Sequence, residues 1–285
     1  MSYPTRSEPT VGPLLAQWRR ARRMSQMELS GESGVSTRHL SFVESGRARP
    51  SRELVLRLSA ALAVPRRERN ALLLAAGFAP AFRETPLEAP EMAEVLRAIR
   101  MILEHHAPFP AVALDSRWDV LMANPVYAAS VNACGEDALG APLVEPLALL
   151  PRPRPNLLRL LCHPDGLRHR LENWTEATLA VLGRARREIA RDSDPVRRRR
   201  FEEALGYPGV PPLPELDAAG VSELIVPVVL RSPAGPLRFV STIATLGTAQ
   251  DITLQDLRIE TFHPADAATD RAMRGLAAAG PAGPQ

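Results

Sequence analysis

The chain has 285 residues, and all 35 of its lysine-or-arginine positions are arginine, set against 32 acidic residues for a formal net charge of +3. This length predicts two domains, and the abundant aliphatic residues can form a core without disulfides. The two unpatterned cysteines, Cys134 and Cys162, fit a reducing cytosol better than a disulfide framework. The N-terminus has no apolar run of signal-peptide length, and no stretch reaches the roughly 18 apolar residues needed to span a bilayer, so we expect a cytoplasmic protein.

The charge is unevenly distributed along the chain. Residues 1–82 carry 13 arginines against six acidic residues, whereas the remainder carries 22 arginines against 26 acidic residues. An evenly Arg-rich surface would not produce this asymmetry. A basic N-terminal module on an acidic body predicts a phosphate-binding head joined to a separate domain.

The first 80 residues carry the signals of five short helices. Gly12-Pro13 opens the first helix, with proline at a position that tolerates it. Ser25 and Glu28 form a predicted capping box for the second helix, which ends at Gly34, a residue suited to a left-handed cap. The remaining signals are Ser36, Ser51 and Pro65 at the starts of the third, fourth and fifth helices, and Gly46 and Gly77 at the ends of the third and the fifth.

The third helix has an apolar side and a polar side. Leu40 and Val43 have the spacing of an inward-facing stripe, and Val35 with Leu40 has the spacing of a hydrophobic staple. Four side chains remain for the outer side, namely Thr37, Arg38, Ser41 and Phe42. The second and third helices, joined by a tight turn that contains glycine, predict a helix-turn-helix.

This stretch resembles the Xre/Cro family of DNA-binding repressors. The resemblance is carried by Ser25-Gln26, Gly34-Val35-Ser36, Leu40-Ser41, Val43-Glu44-Ser45-Gly46 and Pro50-Ser51. It implies that the third helix enters the major groove, where base edges would be contacted by Thr37, Arg38, Ser41 and Phe42. It also implies that DNA phosphates would be contacted by Gln26, Arg47, Arg49 and Ser51.

One position departs from the family pattern, because Gly31 lowers the helix propensity of the second helix by about 1 kcal/mol. A helical bundle that binds another protein is the alternative interpretation of this module.

Domain boundaries follow from the proline content. Three prolines and no periodicity between Phe78 and Pro90 predict a linker, and the amphipathic helix Glu91–His105 opens the next domain. The expected organisation is a disordered N-terminus over 1–11, a helix-turn-helix domain over 12–80, a linker over 81–91, a second domain over 92–277 and a disordered tail over 278–285.

The second domain alternates strand-like and helical runs. A hairpin is predicted from Ala111–Asp115 and Trp118–Ala123, which turns at Asp115 and Ser116, and Asn124 is expected to cap a short helix behind it. Residues 133–155 are rich in Gly and Pro and predict irregular structure. The elements expected next are helices Asn156–Cys162, Leu167–Arg191 and Pro195–Leu205, strands Glu223–Leu230, Pro236–Gly247 and Asp251–Phe262, and a last helix, Ala265–Ala277.

Two strands, a helical excursion and three strands are the order of a PAS-type sensor. The predicted fold is therefore an all-α helix-turn-helix N-terminal domain followed by an α+β PAS-like domain, an antiparallel sheet with helices on one face.

Residues 92–274 resemble the MmyB-like transcription-regulator ligand-binding domain, a family that is joined to an Xre helix-turn-helix and has a PAS-like fold. The segments that carry the resemblance are Arg117-Trp118-Asp119-Val120 with Asn124, Asn156–Leu161, His163–Arg168, Asn173-Trp174 and Leu246–Glu260. The resemblance implies a ligand site between the sheet and the helices.

The composition favours a site with room for a ligand. The space between sheet and helices must hold side chains or a ligand, and the chain has only seven Phe, three Trp and three Tyr to fill it. We expect a small apolar molecule, for example a fatty acid, and no required cofactor. The expected lining is Val112, Leu114, Val120, Leu157, Leu161, Trp174, Phe239 and Ile243. A purely structural role in the core is the alternative for Trp174.

The sequence offers little for catalysis or metal binding. His105 and His106 point about 100° apart on a helix, and the pair Cys162-His163 lacks zinc spacing. Asp115 and Asp119 are a near pair of carboxylates at the hairpin, but the role of Asp115 in forming the turn explains its presence without catalysis. No Ser/His/Asp order, P-loop or GxGxxG is present, so we expect neither an enzyme nor a metal site.

These patterns together predict a transcription regulator. We expect it to bind an inverted-repeat operator in double-stranded DNA as a homodimer, and to respond to a small-molecule effector, without membrane contact. The alternative is a DNA-binding adaptor whose second domain senses nothing and serves dimerisation or protein contact.

Overall fold

The computed structural model describes residues 10–132, 154–190, 194–214, 225–232, 235–247 and 250–278. The chain divides into two compact units. The first unit comprises Met1–Glu84 with Gln250–Ile252, and the second comprises Thr85–Ala249 with Thr253–Gln285. The expectations for residues 1–9, for 133–153 and for the tail from 279 onward lie outside the described residues.

The described part of the first unit contains five helices. They are α1 (Val11–Ala21), α2 (Gln26–Ser33), α3 (Thr37–Glu44), α4 (Arg52–Ala61) and α5 (Arg66–Ala75). The first helix starts ahead of Pro13, which leaves the proline inside the first turn, where its missing N–H costs nothing. The predicted all-helical N-terminal domain is confirmed.

The predicted helix caps are also confirmed. Ser25 accepts the Glu28 N–H and the Glu28 carboxylate accepts the Ser25 N–H, the two bonds of a capping box. Ser36 and Ser51 each accept a backbone N–H in the first turn of α3 and α4. Gly34 ends α2 at a φ of 67°, a left-handed conformation that favours glycine.

One hydrophobic cluster holds these helices together. Leu15 from α1, Leu29 from α2 and Leu40 from α3 are each 1% exposed. They share the cluster with buried side chains of α4 and α5, including Val55, Leu58, Leu72 and Leu73. Burial of each such side chain contributes about 1.5–3 kcal/mol, so the packing of the apolar faces, rather than helix propensity, stabilises this unit.

The second unit combines helices with a sheet. Its described helices are α6 (Ala93–His105), α7 (Pro125–Asn132), α8 (Leu157–Cys162), α9 (Trp174–Ile189), α10 (Pro195–Gly206), α11 (Ile252–Asp256) and α12 (Ala267–Ala278). Its described strands are β1 (Ala111–Leu114), β2 (Val120–Ala123), β3 (Val228–Leu230), β4 (Leu237–Thr245) and β5 (Arg258–Pro264). Short 3₁₀ turns precede α6 and α9, at Pro90–Met92 and Leu167–His169.

The five strands form one antiparallel sheet in the order β2-β1-β5-β4-β3. Strand β5 lies between β1 and β4, with Val112 opposite Glu260 and Thr242 opposite Thr261. The predicted order of two strands, helices and three strands is confirmed, and the domain is α+β as expected.

Both faces of β1 and β2 are covered. Val112 and Leu114 belong to a large cluster that includes residues of α7, α8, α9 and α10. Ala111 and Ala113, on the opposite face, pack in a second cluster with side chains of α6, namely Ile99 and Leu103. The helices expected on one face are therefore present, and α6 covers the other face at this end of the sheet.

The predicted strand Asp251–Phe262 is wrong in its first half. Ile252–Asp256 is the helix α11, and β5 begins only at Arg258. Ile252 and Leu257 are both buried, and Leu254 is half-buried against the cluster under α6. A short apolar run of this kind fits either a strand or a single helical turn, because periodicity does not separate the two.

The predicted helix Leu167–Arg191 begins later than expected, because Asn173 serves the sheet. The Asn173 side chain accepts the Val229 N–H at 3.0 Å and donates to the Pro227 carbonyl at 2.7 Å. Leu171 pairs with Leu230 in an isolated bridge. These contacts hold residues 171–173 beside β3 in a non-helical conformation, so the helix starts at Trp174.

The segment predicted as a linker makes ordered contacts at both ends. The Asn70 side chain accepts the N–H groups of Ala81 and Phe82 and donates to the Phe82 carbonyl. Leu87 is buried in the cluster of the second unit that contains Ile99. Proline content removes regular structure from a segment but does not prevent its side chains from packing.

Candidate functional site

Helix α3 presents the residues predicted to contact bases on one exposed side. Leu40 and Val43 are 1% exposed and face the core. Thr37, Arg38 and Ser41 are exposed, and Phe42 is half-buried. The Arg38 guanidinium lies 5.5 Å from the centroid of the Phe42 ring. All four predicted side chains therefore share one side of α3, where the planar Arg38 guanidinium stacks on the Phe42 ring.

A partly buried ion pair fixes the end of α3 to α1. The Arg19 Nε lies 2.7 Å from Glu44 Oε1, and its Nη2 lies 2.8 Å from Oε2. Burial alone would raise the pKa of Glu44, but the hydrogen bonds from Arg19 and Gln26 outweigh it and hold the pKa below its usual value. The carboxylate is thus charged and holds α3 in place.

The same two helices approach each other closely at Gly12. A Cβ atom at this position would lie 2.3 Å from the carbonyl oxygen of Val43 and 2.9 Å from that of Glu44. Only glycine allows the start of α1 to pack against the backbone at the end of α3. The ion pair and the close approach at Gly12 therefore add to the apolar packing of Leu40 and Val43 in fixing the orientation of α3.

The residues predicted to contact phosphates fall into two groups. Arg47 and Arg49 are exposed, and within the described residues neither makes a hydrogen bond or ion pair. Ser51 is exposed, and its hydroxyl accepts the Leu54 N–H. Gln26 is half-buried and donates to Glu44 at 2.8 Å, so its amide already has a partner inside the protein.

Two arginines of this unit have structural roles that the sequence did not indicate. Arg22 donates to the carbonyls of Leu62 and Ala63 at the end of α4. Arg69 donates to the Val64 carbonyl at 2.7 Å. Guanidinium groups can satisfy two carbonyls at once, so part of the basic charge counted in the sequence serves helix ends rather than a ligand.

In the second unit, six of the eight residues predicted to line a pocket lie in or against one cluster. Val112, Leu114, Val120 and Leu161 are buried members of it, and Leu157 and Trp174 pack against it from half-buried positions. Phe239 is 1% exposed but lies outside this cluster. Ile243, further along the same strand, is 42% exposed.

Trp174 has a defined polar contact as well as an apolar one. Its indole N–H donates to the Leu161 carbonyl at 2.9 Å. The Arg168 guanidinium stacks at 4.2 Å from the ring centroid, and it also donates to the Pro208 carbonyl at 2.6 Å. The side chain thus joins the start of α9 to the end of α8, which agrees with the structural alternative and leaves a ligand role as a prediction.

The turn between β1 and β2 is held by a carboxylate network. Asp115 accepts the backbone N–H groups of Arg117 and Asp119, the turn chemistry expected of it. Asp119 binds the Arg200 guanidinium at 3.0 Å and accepts from the Asn156 amide at 2.9 Å. Burial, together with the charge of Asp115, raises the pKa of Asp119 to about 6. These partners fix the turn to α8 and α10.

A second buried cluster of charges was not predicted. Glu260 points from the middle of β5 toward the helices, and its burial raises the pKa of the carboxyl group despite the opposing charge of Arg184. Arg258 donates to Glu188 at 2.9 Å, and Arg184 lies 3.4 Å from the same carboxylate. Arg184 and Glu188 are one helical turn apart, but Arg258 lies 70 residues beyond Glu188 in the chain, so no local pattern connects the helix to the strand.

Metal binding finds no support in the described residues, among which no group of three or more His, Cys, Asp and Glu side chains is close enough to hold an ion. Burial raises the pKa of Cys162 to about 12, which makes its thiol unreactive. In the same residues, no helix has both the length and the apolar character needed to cross a bilayer.

Comparison with protein families follows the two units. Residues 11–72 match the model of a helix-turn-helix domain. Residues 95–276 match the model of the MmyB-like transcription regulator ligand binding domain. The chain belongs to this MmyB-like family. It is a transcription regulator with a helix-turn-helix domain and a ligand-binding domain, and neither family is one of enzymes.

No curated protein matches the regulator. Among solved structures, it is similar to one described as an RNA-binding Light-Oxygen-Voltage receptor, with 15% sequence identity and a TM-score of 0.22. The match covers 94% of this chain and 63% of that chain, so the regulator spans less than two thirds of the length of that receptor. A TM-score of 0.22 does not establish a shared fold.

Proposed function

We propose that this regulator binds a specific operator sequence in double-stranded DNA through the exposed side of α3. The observation that carries the proposal is the arrangement around Glu44. The ion pair with Arg19 fixes α3, while its outer side carries Thr37, Arg38 and Ser41, which are exposed, and Phe42, which is half-buried. Arg38 has the geometry to bind guanine O6 and N7, and Phe42 or the Thr37 methyl group suits a thymine methyl.

Phosphate contacts orient the domain on the duplex in this proposal. Arg47 and Arg49 follow α3 in a loop and are exposed. Ser51 and the N–H groups at the start of α4 add donors that need no formal charge. Gln26 reaches phosphate only if it shares its amide with Glu44, so its share of the binding energy is the smallest of the four.

The operator is proposed to be an inverted repeat that is bound by a homodimer. One module of this size buries too little DNA surface for tight and specific binding. Two modules related by a twofold axis would read half-sites about one helical turn, roughly 34 Å, apart.

The second domain is proposed to bind a small apolar effector, for example a fatty acid, in a PAS-like space between the sheet and the helices. Six of the predicted lining residues lie in or against one apolar cluster, which supports the location. Each buried CH₂ group of a ligand would contribute about 0.8 kcal/mol before ordering costs. Regulation requires that the effector prefer one of two DNA-binding states.

One observation favours a second candidate, an adaptor that dimerises and senses nothing. Val112, Leu114 and Val120 are each at most 1% exposed and pack against other side chains, as they would in a filled core. Native mass spectrometry separates the two candidates, because a co-purifying small molecule supports the effector domain and a bare protein supports the adaptor.

DNA binding is tested by selection from a random duplex library with the full-length protein, followed by light scattering of the selected complex. We expect an enriched inverted repeat and two protein chains per duplex. Enrichment of no sequence would contradict the DNA-binding proposal, and a monomer with full affinity for a single half-site would contradict the dimeric one.

A further inference from the structure

The turn between β1 and β2 places a tryptophan inside the ligand-binding domain at an unusual backbone conformation. Trp118 is 1% exposed and is among the largest fully buried side chains. Its φ is 66°, in the left-handed region, which bulky residues rarely adopt. The strained backbone directs the ring into the cluster that contains Val112 and Leu158.

The polar atom of this ring has no partner in the part of the chain that the structure describes. The Trp118 Nε1 is fully shielded from solvent and makes no hydrogen bond there. A buried indole N–H normally finds an acceptor, because leaving it unpaired costs the full desolvation of the donor. Trp174, by contrast, satisfies its N–H on a backbone carbonyl.

A second unpaired donor lies against the same ring. The Arg184 guanidinium stacks at 4.3 Å from the Trp118 ring centroid, and within the described residues its buried Nη2 atom has no hydrogen-bond partner. Its link to the protein is a 3.4 Å contact from Nε to Glu188, a carboxylate that also binds Arg258 at 2.9 Å. The Arg258 guanidinium lies 5.5 Å from the same ring centroid.

The chemistry of these two nitrogen atoms restricts which groups can form hydrogen bonds with them. An indole N–H and a guanidinium N–H can only donate, so their complement must be an acceptor. A charged donor also makes shorter and stronger hydrogen bonds with an anion than with a neutral acceptor. The buried Glu260 carboxyl nearby has a raised pKa, which reduces the negative charge that would oppose an anion.

We propose that Trp118 and Arg184 form the anchor for the head group of the effector, and that this head group is an acceptor of the carboxylate class. This inference rests on the proposed effector-binding function and adds the polar end of the ligand to it. Neither residue was among the expected lining, which was wholly apolar apart from the indole N–H of Trp174.

The test compares two probes with the same ten-carbon chain and opposite head groups, decanoate and decylamine. Binding to the full-length protein is measured by isothermal titration calorimetry near neutral pH, where one probe is an anion and the other a cation. We expect decanoate to bind at least about tenfold more tightly than decylamine, since only the carboxylate can accept from both donors.

Four variants assign the difference to the two donors. Trp118→Phe keeps an aromatic ring and removes the N–H, and Arg184→Met keeps most of the side-chain volume and removes the guanidinium. Each is expected to weaken decanoate binding about tenfold and to leave decylamine binding unchanged. Arg187→Met is the matched control, because Arg187 is exposed on the same helix. If Arg184→Met unfolds, Arg184→Lys replaces it in the test, because lysine keeps the positive charge. Arg184→Lys is also expected to lose affinity for decanoate, because lysine lacks the planar guanidinium.

The outcomes separate this inference from the proposed function. Equal binding of the two probes, or unchanged decanoate binding in Trp118→Phe and Arg184→Met, would overturn the anchor and leave an apolar effector site in place. No binding of decanoate would also overturn the anchor. A protein that binds neither probe and carries no small molecule when purified would overturn the effector function itself.

Discussion

Arg19 and Glu44 are 25 residues apart in the chain and form a two-point ion pair between α1 and the last residue of α3. Their side chains are only 14% and 9% exposed, so the pair is poorly screened by solvent. Glu44 closes the helix-turn-helix motif in the sequence, and the structure gives it a mechanical role. It holds α3, the helix that we propose faces DNA, against α1.

Replacing Glu44 by Gln should lower the free energy of unfolding by about 2 kcal/mol at neutral pH, because two charge-assisted hydrogen bonds become weaker. The folded-state pKa of Glu44 is depressed below 4.5, so its stabilising effect is present above that pH and is lost as the pH falls through the folded-state pKa. Urea unfolding of the wild type and Glu44→Gln at decreasing pH should show the difference in their free energies of unfolding shrinking.

Glu53→Gln is the control, because Glu53 is an exposed partner of Arg57. It should change the free energy of unfolding by less than about 1 kcal/mol. A difference that grows in acid would contradict the assignment.

Gly12→Ala should destabilise the first unit and weaken DNA binding, since the new methyl group would lie 2.3 Å from the Val43 carbonyl oxygen. Overpacking of this kind typically costs about 1–3 kcal/mol. Gly31→Ala is the matched control, because that position meets no atom within 4 Å and alanine favours the helix by about 1 kcal/mol. Thermal unfolding should therefore move in opposite directions for the two variants. A Gly12→Ala protein as stable as the wild type would mean that α1 and α3 can separate at low cost.

Arg38→Ala should weaken specific binding by about 1–3 kcal/mol and relax the preference at one base position. Arg49→Ala should instead weaken all sequences alike and reduce the slope of affinity against salt by about one. Gel-shift titrations at several salt concentrations measure both effects. Arg97→Ala, an exposed arginine of α6, serves as the control with unchanged affinity. If Arg38→Ala altered only the salt dependence, the proposed orientation of α3 in the groove would be wrong.

Trp174→Ala should change the response of operator binding to ligand while the affinity without ligand stays close to that of the wild type. The residue is outside the helix-turn-helix unit, and it joins α9 to the Leu161 carbonyl on the side of the predicted pocket. Operator binding titrated with extracted lipids is the measurement. Trp174→Phe keeps an aromatic ring and loses the indole N–H with its hydrogen bond, about 1 kcal/mol, and so distinguishes a lost contact from a lost fold. An unchanged ligand response in both variants would leave Trp174 with a structural role alone.

Local signals were read correctly from the sequence because their physics is local. Each helix cap involves residues three positions apart, so the sequence pattern almost determines the contact. This holds for the capping box of Ser25 and Glu28 and for the caps at Ser36 and Ser51. The start of α9 was misplaced because the side chain that fixes it, Asn173, bonds to backbone more than 50 residues away.

The predicted sites show the same division. Thr37, Arg38 and Ser41 were placed on the exposed side of α3 because helical spacing determines which residues share a side. The stacking of Arg184 on Trp118 could not be predicted from sequence spacing. The two residues are 66 positions apart, and only the tertiary fold brings the turn and the helix together. Ile243 was expected to face the helices, yet it lies where β4 extends past the short strand β3 and is exposed there.

Strand β1 lies between β2 and β5, and its four residues are buried on both faces. Its amide protons can therefore exchange with deuterated water only when the whole domain opens, so their exchange rate reports the global stability of the domain. A ligand that binds only the folded domain would slow the exchange of these amide protons. The expected factor is one plus the ratio of the free ligand concentration to the dissociation constant. The exchange rates of the four amides of Ala111–Leu114 therefore measure effector binding without DNA and without a label.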